Sequence, residues 1–383
     1  MSSTLPRRAF LGAELLSDAE AFCVDGVIIA GVVEDGMAAR AGLIAGDVIV
    51  SLAGAPVRDL CELAVALRRA GAGATAEVAY QRAGARYVRI VDVVAMPCEH
   101  HTGATTEYGE LVVGETRLRT IEIRCAVPRA LVLVIQGIAC ESVDHGASEP
   151  PLAALVAGWA RAGYDSLRFD KRGVGDSEGG PCRDTDFQGE LDDARAAYAL
   201  ARSRGIPLVV FGHSVGGIIA PLVGEADGII VYGTPVMPWI DCLVDSTRRQ
   251  LTLRGASEAE ILEREHSMRA LVERGELNGR SAAYHAQLAA VDPEAAWRTV
   301  EAPVLVVRGE HDWVVRRDDQ ARIADLARGE TTIVDVPDLD HLFGWHADHE
   351  ASLRDYGSGR ADAALATATV GWLGSRSWFR LSS

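Results

Sequence analysis

Gly212-His213-Ser214-Val215-Gly216 sets a serine between glycines two residues before and after it. A serine hydroxyl is a weak nucleophile near neutral pH. It attacks an acyl carbon only when a general base takes its proton and a carboxylate orients that base. Small neighbours permit the tight turn that pushes such a hydroxyl clear of its backbone. His341 is the candidate base and Asp312 the candidate acid. The run Val304-Leu-Val-Val-Arg-Gly-Glu-His-Asp312 puts the aspartate just past a strand-like stretch, and Thr332-Ile-Val-Asp-Val-Pro-Asp-Leu-Asp-His341 does the same for the histidine. Rivals stand nearby. His346 and His349 follow closely, while His213 sits on the turn itself and cannot easily fold back onto Ser214. His311 is expected at the surface. Asp338 and Asp340 are expected to be solvated loop carboxylates, too near His341 in sequence to support it.

These residues need elements to hold them. Strand-like Leu131–Ile135 precedes a helical stretch at 152–162, strand-like Ser166–Phe169 precedes 190–202, and Leu208–Phe211 leads straight into 215–223. Ile229–Tyr232 and Val304–Val307 continue the pattern. Alternating strands and helices predict a mostly parallel sheet covered on both faces. Residues 235–298 interrupt the rhythm with polar, helix-forming sequence, expected to form a lid over the sheet's C-terminal edge. Its Trp239, Leu243, Leu251 and Leu253 suit either an apolar pocket or the lid's own packing.

Serine motif, strand, turn and helix together resemble the α/β-hydrolase superfamily, in particular its branch of serine aminopeptidases, esterases and acyl hydrolases. Phe169-Asp-Lys-Arg-Gly-Val-Gly-Asp-Ser-Glu-Gly179 is similar to the Asp-x-Arg-Gly-x-Gly-x-Ser loop of those enzymes. It is not a phosphate-cradling loop, because no Lys-Ser or Lys-Thr follows. The resemblance covers about residues 107–376. It implies the chain order Ser214, Asp312, His341 for the triad. It also implies an oxyanion hole built from the N–H groups of Val215 and of Ile138, in Gln136-Gly137-Ile138-Ala139. Many relatives carry His-Gly where this chain has Gln-Gly, and the Gln136 side chain is expected only to brace the loop. The implied reaction is acyl transfer to water through an acyl-Ser214 intermediate. Peptide, ester and thioester substrates, and transfer to another acceptor, all use the same triad.

The first hundred residues read differently, as short strands with Gly-rich turns and one main helix at 59–69 carrying Leu60, Leu63, Ala64 and Leu67 at helical spacing. Phe10-Leu-Gly-Ala13 and the run Gly31 to Val50 resemble a PDZ domain of the kind attached to bacterial heat-shock serine proteases. The likeness covers about residues 8–95, and 96–106 is expected to be a linker. It implies that Leu11, Gly12 and Ala13 hold the C-terminal carboxylate of a peptide or protein partner, with Leu63 and Leu67 as pocket wall. Two other readings keep this unit from binding substrate. One makes it a structural cap; the other makes the chain a catalytically silent scaffold that binds protein partners through this unit.

Composition narrows the partners. The formal net charge is −16, and residues 1–97, with 9 Lys+Arg against 11 Asp+Glu, contribute only −2 of it. An acidic body repels phosphate backbones, so no nucleic-acid partner is expected. No apolar run is long enough for a membrane span, and no signal-like h-region follows the charged start, so a cytoplasmic protein is expected. The seven cysteines, at 23, 61, 98, 125, 140, 182 and 242, are odd in number and form no Cys-x-x-Cys pair. Unpaired, buried thiols are expected, with no disulfide framework or zinc site. Cys98, Glu99, His100 and His101 are too close in sequence to converge on one ion. No metal or other cofactor is expected.

Overall fold

The computed structural model describes residues 5–16, 25–71, 73–146, 148–274, 277 and 279–378; Cys23 lies outside the described residues. Two sheets organise the chain. The N-terminal one contains β1 (Ala13–Leu15), β2 (Val27–Val32), β3 (Val48–Leu52), β4 (Ala55–Pro56), β5 (Thr75–Arg82) and β6 (Ala85–Asp92), all antiparallel, in the order β1-β2-β3-β5-β6 with β4 on β3. Helix α1 (Met37–Ala41) ends at Gly42, whose φ of 69° supplies the left-handed C-cap. Helix α2 (Leu60–Ala70) starts where the Asp59 side chain accepts from the Glu62 N–H. A core of Ile29, Met37, Ile49, Leu52, Leu63 and Val78 lies between helices and sheet.

The second sheet has eight strands: β7 (Ala104–Val113), β8 (Thr116–Cys125), β9 (Leu131–Ile135), β10 (Asp165–Phe169), β11 (Leu208–His213), β12 (Gly228–Tyr232), β13 (Val304–Gly309) and β14 (Thr331–Val336). Their order is β14-β13-β12-β11-β9-β10-β8-β7. The six strands from β9 on are mutually parallel, and β8 pairs antiparallel with β10 and β7. The β7–β8 hairpin has no counterpart in the sequence reading, and β7 begins inside the stretch read as a linker. Charged residues on β8, among them Arg119 and Glu122, hide the strand pattern yet are buried.

Both faces of this sheet are covered. On β11, Leu208 and Val210 enter one core cluster while Val209 and Phe211 enter the other, the period-two alternation of a strand buried on both sides. The helices are α3 (Pro151–Arg161), α4 (Phe187–Arg202), α5 (Val215–Ile219), α6 (Trp239–Leu253), α7 (Glu258–Arg274), α8 (Ala282–Ala289), α9 (Pro293–Trp297), α10 (Arg317–Ala321), α11 (Ile323–Leu326), α12 (His349–Arg354) and α13 (Ala364–Gly374). Helices α6 to α9 fill the expected lid segment. Trp239 is buried there and donates its indole N–H to His285, whereas Leu253 is exposed. Among the described residues no helix is long and apolar enough to cross a membrane.

One expectation about cysteine is corrected. Cys140 and Cys182 form a disulfide across 42 residues, Cys98 is exposed and Cys125 is half-buried; Cys242 is buried as expected. The pairing is tertiary. Strands β9 and β10 are parallel neighbours, so the loops leaving their C-terminal ends lie side by side and carry the two sulfurs together.

Candidate active site

Strand β11 ends at His213 and helix α5 begins at Val215, leaving Ser214 alone on the turn. Its φ is 53° and ψ is −121°, a left-handed backbone that a non-glycine residue adopts only under constraint. The constraint comes from packing. A Cβ on Gly212 would come 2.6 Å from the Gly216 carbonyl oxygen, and one on Gly216 would come 2.1 Å from the Ile135 oxygen. The Ser214 N–H meanwhile donates to the Tyr232 carbonyl at 2.9 Å, tying the turn to β12. The serine is buried to all but 8 %.

His341 and Asp312 come to this turn from the ends of β14 and β13. His341 Nδ1 is 3.0 Å from Asp312 Oδ2, with both residues buried. The other Asp312 oxygen accepts from the N–H groups of Val314 and Val315. Burial alone would raise the Asp312 pKa. The His341 ring and the two backbone donors outweigh it and hold the carboxyl below its ordinary value. Contact with the elbow is direct: His213 Nε2 lies 2.8 Å from the His341 carbonyl oxygen, and the two rings are 5.0 Å apart. A side chain at Gly233 would strike the His341 ring at 2.7 Å, so His341 packs closely against the start of the loop after β12.

The loop after β9 closes the site from the opposite side. A Cβ on Gly137 would come 3.2 Å from the Ser214 Cβ, which places this loop against Ser214. The Gly137 carbonyl accepts from the buried Lys171 ammonium. In a trans peptide the following N–H points the opposite way, so the Ile138 N–H is turned away from Lys171. Among the described residues neither the Ile138 nor the Val215 N–H donates to a protein acceptor. Val215 heads a helix, where N–H groups have no intrahelical partner. The Gln136 amide donates to the Phe169 carbonyl at 3.1 Å, bracing the loop on β10 as expected.

Several supporting residues escaped the sequence reading. Glu190 on α4 pairs with Lys171 at 2.8 Å and with Arg280 at 2.7 Å. Arg280 in turn donates to the Ile138 and Thr185 carbonyls and stacks on the Tyr284 ring. Both carbonyls of the Gly137-Ile138 pair are thus held by buried cations, one from the loop after β10 and one from just before α8. Asp170 accepts from Ser142 and from the Val143 N–H, and burial pushes its pKa up to about 6. The Phe169-to-Gly179 motif was the available signal for Lys171 and Asp170. Arg280 carries none, since the partners of its side-chain hydrogen bonds lie 90 to 142 residues away.

The rival residues find other work. Asp340 is fully buried, not solvated: it accepts from the Leu342 and Gly344 N–H groups and lies 3.0 Å from His346 Nε2. His311 is also buried rather than at the surface, its ring 4.8 Å from that of His349. Both corrections have one cause: the chain after β14 folds back over the β13 loop, with the His311 N–H bonded to the Leu339 carbonyl. Glu99 makes a buried pair with Arg168 at 2.6 Å and lies 3.1 Å from His101, anchoring the inter-sheet segment. Glu310, His311 and Asp338 bring one ligand atom each within 4.8 Å of one another, one short of the four that close a structural site.

In the N-terminal unit, Gly12 has a φ of 66°, and a Cβ there would lie 2.6 Å from the Gly36 Cα. Leu11 and Gly12 are buried in the loop before β1, and among the described residues neither N–H donates to a protein acceptor. Ala13 opens β1, an edge strand of its sheet. Leu67 is half-buried on α2, whereas Leu63 is buried in the core and offers no surface. The unit docks on the second sheet through Arg7 and Arg8, which pair with the buried carboxylates of Asp144 and Asp176.

A family model described as serine aminopeptidase, S33, matches residues 126–343, and a PDZ-domain model matches residues 28–82. Esterase EstD of Thermotoga maritima is 25 % identical over 233 residues, covering 56 % of this chain and 55 % of that protein. The uncharacterized protein YfhR of Escherichia coli O157:H7 is 26 % identical over 200 residues, covering 51 % of this chain and 59 % of that one. The chain therefore spans less than two thirds of the length of these curated relatives. Of solved structures, Est1E from Butyrivibrio proteoclasticus with ferulic acid bound is similar at 15 % identity, 69 % of this chain, 99 % of that one and a TM-score of 0.47. The esterase domain of a Rhodothermus marinus protein is similar at 19 % identity, with 70 % and 97 % coverage and a TM-score of 0.45.

Proposed function

The chain belongs to the serine aminopeptidase S33 family of hydrolases, and from that premise we propose that it cleaves an acyl bond through an acyl-Ser214 intermediate. His341 takes the Ser214 proton as the hydroxyl attacks, then returns it to the leaving group. Asp312 holds the ring in the tautomer with Nδ1–H and stabilises the imidazolium. The tetrahedral oxyanion is received by the N–H groups of Val215 and Ile138. A water then attacks the acyl-enzyme with His341 again as base. The observation that carries this reading is the strained backbone of Ser214, set beside the buried His341–Asp312 pair.

An ester or thioester is the substrate class we favour, with a peptide bond next, since the named relative of known type is an esterase. The N-terminal unit is matched by a PDZ model. We assign it the recruitment of a peptide or protein C-terminus, on the strength of the unpartnered Leu11 and Gly12 N–H groups beside the edge strand β1. The Cys140–Cys182 bond favours an oxidising compartment over the cytoplasm as its working place.

The experiment is fluorophosphonate labelling of the whole chain, followed by a panel of p-nitrophenyl esters, acyl thioesters and aminoacyl anilides. Wild type labels and Ser214→Ala does not. A wild-type protein that neither labels nor turns over any member of the panel ends the assignment.

A further inference from the structure

A cleft of about 710 Å³ separates the two units, far along the chain from the elbow serine. That volume lies within the range of small-molecule sites. One wall is the outer side of α2, with Val65, Arg68 and Arg69. The other is the end of the Phe169-to-Gly179 motif and its continuation through Pro181 and Arg183. Its lining holds five arginines against three carboxylates, in a chain whose formal net charge is −16.

The carboxylates are already committed. Asp176 pairs with Arg7, Arg8 and Arg119, Glu178 with Arg117, and Glu62 with Arg58. Those pairs also occupy Arg8 and Arg117, which leaves Arg68, Arg69 and Arg183. Among the described residues Arg68 makes a single hydrogen bond, to the Ser177 carbonyl at 3.1 Å, and neither Arg69 nor Arg183 has a hydrogen bond or ion pair from its guanidinium. Arg68 is half-buried, and burial, with Arg69 beside it, disfavours its charge. Arg69 and Arg183 are exposed along the cleft, and unpaired cations gathered there attract an anion from solution. Leu5, Pro56, Val65, Ala66 and Pro181 supply apolar surface between them.

We propose that this inter-unit cleft binds a small organic anion with an apolar body, its carboxylate or phosphate held by Arg68, Arg69 and Arg183. The guanidiniums give forked donors matched to either head group. Desolvation of the apolar body against Val65 and Pro181 adds affinity that a bare inorganic ion lacks. The site is separate from the triad, so it stands whether or not Ser214 is the nucleophile.

The test is calorimetric titration of the full chain with octanoate, octyl phosphate and inorganic phosphate. Octanoate or octyl phosphate is expected to bind, with inorganic phosphate at least about tenfold weaker. The tighter of the two amphiphiles identifies the head group, a carboxylic acid or a phosphate ester. Arg68→Gln/Arg69→Gln is expected to weaken binding by about tenfold or more. Arg183→Gln, at an exposed residue, is expected to weaken it too while the melting temperature holds. No heat from either amphiphile, or affinity unchanged in both variants, overturns the proposal.

Discussion

His341 Nδ1 stands 3.0 Å from Asp312 Oδ2, and the remaining Asp312 oxygen is occupied by the N–H groups of Val314 and Val315. Asp312 is therefore held by its own loop as well as by His341. Asp312→Asn keeps the two backbone bonds but presents an amide that favours the wrong ring tautomer. Turnover is expected to fall on the order of a thousandfold or more with the fold intact. Steady-state kinetics beside a thermal melt check this. A mild defect would mean that the orienting carboxylate comes from elsewhere.

Arg280 joins the lid to the Ile138 carbonyl and to Glu190. Arg280→Met removes one partner of a buried pair, which costs about 3 kcal/mol or more. Because the loop proposed to receive the oxyanion loses a tether, kcat on a small ester is expected to fall while KM changes little. Urea melts and initial rates measure the two effects. A stable variant with unaltered kcat would reduce Arg280 to packing.

The Cys140–Cys182 bond spans 42 residues and starts two residues after Ile138. Chain-entropy arguments give a closure of that length about 4 kcal/mol. The paired variant Cys140→Ser/Cys182→Ser is expected to lose that much in a denaturant melt, and reductant should bring wild type to the same curve. Coincident melts of untreated wild type and variant would show that the bond contributes nothing.

His213 is buried, and burial, then the neighbouring His341 ring, lowers its pKa to about 3; burial lowers that of His145 to about 4. Both are neutral in the fold and depressed below the ordinary histidine value of about 6.5. Below that pH the unfolded chain takes up protons that the folded chain refuses, so stability falls as pH drops from about 6.5 toward 3. Each such histidine contributes about 1.4 kcal/mol per pH unit across its window. In His213→Gln the acid limb of a melting-temperature profile should be shallower. An unchanged slope would place the acid sensitivity in other groups.

Recruitment by the N-terminal unit is best probed through the peptide. A Cβ at Gly12 would sit 2.6 Å from the Gly36 Cα, so substitution there disturbs the loop itself. Titrating the whole chain with free-acid and C-terminally amidated versions of one peptide library avoids that. Free acids are expected to bind with roughly micromolar Kd and amides not detectably. Equal affinity for the two would remove the carboxylate from the recognition scheme.

Local chemistry alone made much of this protein legible. The elbow announces itself because a strand, a serine between spaced glycines and a helix must follow one another within a dozen residues. That Asp312 and His341 meet was readable because each lies in the loop after a strand of the parallel sheet, and parallel strands deliver their C-terminal loops to one edge. The β7–β8 hairpin was not readable, since its buried arginines and glutamates break the apolar alternation that marks a strand. Tertiary packing alone decided that Asp340 and His311 are buried, that Cys140 meets Cys182, and that Arg280 reaches the Ile138 carbonyl. A buried charge or a thiol acquires its meaning from partners tens of residues away, and the sequence carries no local pattern for an encounter that the closing of the sheet creates.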